Sequence, residues 1–121
     1  MRDILQEALK GHRADYVEIR VEESESTRIT YRGRDLDEIS RGRNLGGNVR
    51  ALVNGGWGFV SFNELDGLKE RVSQAIEQAR LVGVEPTRLA DTPVRDEIVA
   101  LSLGTDPSSV PLGAKKQLLD E

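Results

Sequence analysis

Residues 46–62, GGNVRALVNGGWGFVSF, restrict the possible folds more than any other stretch of the chain. Two short apolar runs flank Asn54-Gly55-Gly56. A tight hairpin turn needs positive φ at its centre, and Asn and Gly adopt it at low cost. The pattern predicts a β-hairpin with strands over 49–53 and 57–62. Residues 63–82 then place Leu65, Leu68, Val72, Ala75, Ile76, Ala79 and Val82 at helical spacing. Asn63 is expected to cap that helix, with Asp66 as the answering acid and Gly83 as the stop. A glycine-rich hairpin feeding a helix is a distinctive layout, and it carries no obvious catalytic group.

Upstream, Ile4, Leu5, Ala8 and Leu9 share a helical face over residues 3–11, and Gly11 ends the helix. Residues 16–23 alternate, with Val17, Ile19 and Val21 opposite Glu18, Arg20 and Glu22, as in a half-buried strand. Ser24-Glu25-Ser26 reads as a turn, 28–32 as a second strand, Gly33-Arg34-Asp35 as another turn and 36–41 as a third strand. Leu36 and Ile39 fall on different faces, so a bulge or short strand is expected there. Residues 42–48 read as a glycine-containing loop or strand entry, in unusual φ. The expected fold is α+β: an antiparallel meander of about five strands with two helices on one face. Pro86, Pro93, Pro107 and Pro111 change the character of the last third. The predicted domain spans 1–85. Residues 86–121 read as a linker, with an extended piece near 98–101 and a third helix starting at 110 that breaks off uncapped, like a truncated element.

Only 37% of residues are hydrophobic and 4% aromatic, so the core must come from Val, Ile, Leu and Ala. A net charge of −4 and a pI near 5.1 argue against a dedicated nucleic-acid binder. The chain lacks cysteine, which leaves no disulfide framework or thiolate metal site and fits a reducing compartment. It shows no signal-peptide pattern and no run of the ~20 apolar residues that a spanning helix needs. A soluble, cytoplasmic protein without a membrane partner is expected.

Chemistry is sparse. His12, the single histidine, follows the first helix and reads as an exposed helix-end residue. One His without Cys cannot build an ordinary zinc site. None of the serines sits in a nucleophile context such as G-x-S-x-G. Gly42, Gly46 and Gly47 match no phosphate-loop spacing. Arg28, Arg32, Arg34, Arg41, Arg43 and Arg50 could form a basic face for a polyanion, but Asp35, Asp37 and Glu38 interleave with them. Trp57 is expected in the core or under a helix, with peptide stacking as the alternative.

Taken in order, several motifs resemble the N-terminal domain of the TldD/PmbA family, once called modulators of DNA gyrase and now treated as metalloproteases. They are ADYVEIRVEE (14–23), I-x-Y-R-G-x-x-L (29–36), G-x-V-R-A-L-V-N-G-G-W-G-F (47–59) and the helix ending in E-x-A-R (77–80). The resemblance covers about residues 1–85. The family's H-E-x-x-x-H helix matches nothing here, so no catalytic residue and no metal ligand is carried over. The resemblance implies a front portion of a zinc metallopeptidase, with zinc and catalysis in a C-terminal domain absent from this chain. It further implies a homodimer or a heterodimer with a paralogue, and unfolded or extended peptides as substrates. An open sheet edge could take such a peptide through main-chain hydrogen bonds. Gly46, Gly47, Asn48, Arg50, Trp57 and Gly58 are the expected peptide-binding residues. The competing expectation is a free-standing module that binds nucleic acid or another polyanion through the arginine-rich sheet face.

Overall fold

The computed structural model describes residues 1–120. The chain runs α1 (Arg2–Leu9), β1 (Tyr16–Arg32), β2 (Asp35–Val53), β3 (Gly56–Phe62), α2 (Leu68–Val82), a 3₁₀ turn (Pro107–Ser109) and α3 (Leu112–Asp120). The strands form one sheet in the order β1-β2-β3. Val49 pairs with Val60, Ala51 with Gly58 and Leu52 with Trp57 in an antiparallel register.

The α+β class and the hairpins are as expected, but the sheet has three strands where about five were predicted. The expected turn at 24–26 is absent, and at 42–48 the strand reading holds over the loop, without unusual φ. The stretch Ser24-Glu25-Ser26 stays extended inside β1, and residues 42–48 stay extended inside β2. Gly42, Gly46 and Gly47 do not adopt positive φ, whereas Gly33 (66°), Asn54 (47°) and Gly55 (77°) do. The chain reverses only where the backbone enters the left-handed region. Polar and glycine composition without it leaves a strand that a neighbour can pair.

α2 also departs from expectation at its start. Asn63 does not cap it. Residues 63–67 form bends and a turn, and the helix begins after Gly67, at φ 69°. It ends at Val82 as predicted, but Gly83 is extended (φ −71°). What Gly83 provides is closeness: a Cβ there would run into the Val53 carbonyl. The third helix forms over Leu112–Asp120. No regular structure forms around 98–101.

The chain divides into two compact units. The first comprises Met1–Ser24 and Asn44–Ala90. Its core joins Val49, Ala51 and Phe62 of the sheet to Leu68, Val72, Ala75, Ile76 and Ala79 of α2, with Ala8 from α1. Val17, Ile19, Val21, Val53 and Val60 complete the sheet side, as the two-residue period of a strand requires. The helix lies so near the sheet that a Cβ on Gly56 or Gly58 would meet the α2 backbone. The hairpin glycines therefore set the helix–sheet distance.

The second unit comprises Glu25–Arg43 and the described residues from Asp91 onward. It is tied by polar contacts. Arg43 pairs with Glu25, Arg32 reaches Asp37 at 3.3 Å, and the Tyr31 hydroxyl donates to Asp120. Lys116 bonds Asp120 at 2.6 Å and sits 5.9 Å from the Tyr31 ring centre.

Candidate functional site

Alternation along the strands sends one set of side chains to α2 and the other to the opposite face. On that opposite face lie Tyr16 and Glu18 of β1, Arg50 and Leu52 of β2, and Trp57 and Phe59 of β3. Trp57 is 42% exposed and Phe59 57%. The expectation of a core tryptophan is thus corrected. Trp57 pairs with Leu52, whose parity turns it away from the helix, while Gly56 and Gly58 take the helix-facing positions.

The face is organised around Arg50. Its guanidinium carbon stands 4.7 Å from the Trp57 ring centre, within cation–π range. Its Nε lies 2.9 Å from Glu18 Oε1. The Tyr16 hydroxyl donates to Glu18 Oε2 at 2.8 Å, and the Tyr16 ring meets Trp57 edge-on at 6.3 Å. Burial opposes the charge on Glu18, but the Tyr16 hydroxyl and the charges of Arg50 and Arg20 outweigh it, and the carboxyl titrates below its usual 4.5. The same hydrogen bond to Glu18, with burial, raises the Tyr16 phenol.

β3 is an edge strand. Phe59 N–H donates sideways to Gln78 Oε1 of α2 at 3.2 Å. Since Phe59 points its N–H away from β2, antiparallel geometry turns the main-chain groups of Trp57 and Ser61 to the same open edge. One helix side chain thus occupies the middle of an edge that is otherwise able to pair with another strand.

The six expected peptide-binding residues do not converge. Arg50 and Trp57 touch on the outer face. Gly46, Gly47 and Asn48 line an open cleft of about 860 Å³ with Ile19, Arg20 and Glu22. At Gly47 a Cβ would meet the Arg20 carbonyl and the Phe62 ring. Gly58 is buried under α2, on the other side of the sheet from Trp57. Sequence reasoning passed over Tyr16, Glu18, Phe59 and Gln78. Parity along the strands carried a signal for Tyr16 and Glu18, but Phe59 and Gln78 are placed only by helix packing.

Of the arginine run, Arg32, Arg43 and Arg50 are held by Asp37, Glu25 and Glu18, which offsets a basic field. His12 is half-buried, with Nε2 enclosed and without a hydrogen-bond partner. Among the described residues, no group of three or more His, Asp or Glu could hold a metal ion. Nor is any helix there long and apolar enough to cross a membrane.

Fold and site together define an α+β domain with one sheet face under helices and an aromatic, charge-paired surface on the other. Residues 17–79 match the family described as PmbA/TldA metallopeptidase domain 1. That is more than half of the chain, and the chain belongs to this family. It is 42% identical over 108 residues to a metalloprotease of Synechocystis sp., covering 88% of this chain and 23% of that protein. A metalloprotease of Methanothermobacter thermautotrophicus is 29% identical over 109 residues, covering 90% and 24%. One of Methanocaldococcus jannaschii is 38% identical over 65 residues, covering 54% and 14%. The chain therefore spans under a quarter of the length of these relatives. No solved structure matches it. The family name implies a metal, and the described residues of this chain do not fit one.

Proposed function

We propose that this chain is the substrate-handling and assembly domain of a TldD/PmbA-type zinc metallopeptidase acting on unfolded or extended peptides in the cytoplasm. Zinc and catalysis then belong to a further domain of the same polypeptide, and the working assembly is a dimer with a second copy or a paralogue. The observation that carries the reading is the outer face of the sheet. Trp57 and Phe59 stand exposed beside the β3 edge, where Gln78 occupies only the Phe59 N–H, with Arg50 paired to Glu18 among them. A peptide added along that edge would gain hydrogen bonds that read no sequence. The two aromatic rings would cover alternate side chains of the added strand, and Arg50 would attract acidic groups.

Trp57 is the single tryptophan, so its fluorescence reports this face directly. Titration with an unfolded peptide should change the emission saturably. Ser61→Pro, which removes one edge N–H, should abolish the change while leaving the circular dichroism intact. Arg50→Ala should weaken binding by about tenfold, as expected for one lost charge-assisted contact. The absence of any emission change up to ~1 mM peptide, a binding free energy of only about −4 kcal/mol, would refute peptide handling by this face.

A further inference from the structure

Residues 93–104, PVRDEIVALSLG, carry a run of apolar side chains that the described residues leave uncovered. Val94 is fully exposed, Ile98 is 99% exposed, Val99 83% and Leu101 81%. Among the described residues, no backbone hydrogen bond pairs residues 97–104 with any element. Yet the composition is that of a strand. Val99, Leu101 and Leu103 fall on one side of an extended chain, and Ile98 and Ala100, followed by the small Ser102, on the other. A strand that is apolar on both sides is a strand covered on both faces. Arg95 and Asp96 bound it on one side, with Glu97 at its first position, and Gly104 on the other. Left bare, such a segment is an aggregation hazard.

The relatives indicate what covers it. The family match ends at residue 79, whereas the alignment with the Synechocystis metalloprotease takes in 88% of this chain. Wherever that alignment begins, it must run through residues 97–103. The segment is therefore shared with a protein of which this chain spans only 23%. We infer that residues 97–103 are a docking strand that becomes ordered by inserting into a sheet of the remaining metallopeptidase polypeptide, covered there on both faces. The inference rests on reading the chain as one domain of a longer metallopeptidase, but not on peptide handling. A failed peptide titration would leave it standing.

Amide hydrogen exchange tests it in two proteins. In the 121-residue chain, residues 97–103 should exchange at the rate of an unstructured peptide at every protein concentration. In the full-length Synechocystis metalloprotease, the aligned segment should be protected on the order of 100-fold or more. Equal, fast exchange in both proteins would overturn the proposal. So would protection in the short chain that grows with concentration, which would make a second copy the occupant. As an independent check, Ile98→Asp with Leu101→Asp in the 121-residue chain should leave the urea midpoint reported by Trp57 unchanged. A lowered midpoint would mean that the segment packs on its own chain, and would also overturn the proposal.

Discussion

Gly58→Ala adds one methyl group where the sheet and α2 come closest. Its Cβ would lie inside the van der Waals envelope of the Ala75 carbonyl oxygen and 2.8 Å from both the Ala75 carbonyl carbon and the Ala79 nitrogen. These are backbone atoms of a helix interior, so no side chain can swing aside. Restoring ordinary contact with the two more distant atoms requires α2 to retreat by roughly half an ångström, and the oxygen demands more. A gap of that size forfeits a quarter to a half of each dispersion contact across it. Leu68, Val72, Ala75, Ile76 and Ala79 all bury against this interface. Spread over these side chains, the loss is about 4 kcal/mol, above the usual overpacking cost because rigid backbone meets rigid backbone. That is a large share of the ~5–15 kcal/mol by which domains are stable. Urea unfolding followed by Trp57 emission should show a midpoint lowered by about 3 M, given a slope near 1.3 kcal/mol per M. Gly104→Ala, which meets nothing within 4 Å, is the control and should stay within ~0.5 kcal/mol of the parent. A Gly58→Ala midpoint equal to that of the control would refute the close-approach argument.

Two further perturbations probe the outer face. Leu52 is 1% exposed although its parity turns it away from α2, so Leu52→Ala should cost about 2–4 kcal/mol in the same urea assay. A loss below ~1 kcal/mol would mean that the face closes over the gap. Glu18 titrates below its unfolded value of 4.5, so its pairing contributes stability in full above that value and loses it as pH falls through the lower folded pKa. Glu18→Gln should therefore be less stable than the parent near neutrality, and the difference should shrink below about pH 4. A pH-independent difference would assign the effect to packing and not to charge.

Periodicity and turn chemistry carried much of the fold into view. The hairpin at Asn54-Gly55, the turn at Gly33, the helical face from Leu68 to Ala79 and the alternation of Val17, Ile19 and Val21 all act through local stereochemistry or a repeating pattern. The errors came where a local rule has two outcomes. Ser24-Glu25-Ser26 and Gly42 can turn or extend, and only a paired neighbour decides. Asn63 can cap a helix, but here the chain first bends so that Leu65 joins the core before α2 begins.

The candidate site was legible only in part, for the same reason. Parity along the strands was enough to separate Glu18 and Arg20 from the core side of β1. It could not say which face of β3 meets the helix, because Gly56 and Gly58 look like turn residues until α2 lies upon them. Their missing side chains admit the helix, and that contact turns Trp57 and Phe59 outward beside Arg50. By itself, the sequence determined the turns, the periods and the family. Tertiary structure alone decided the fusion of four short strands into two long ones, the outward aromatic face and the reach of Gln78 to the strand edge. Each of these depends on a partner distant along the chain, and local propensity cannot encode the distance between two surfaces that have not yet met.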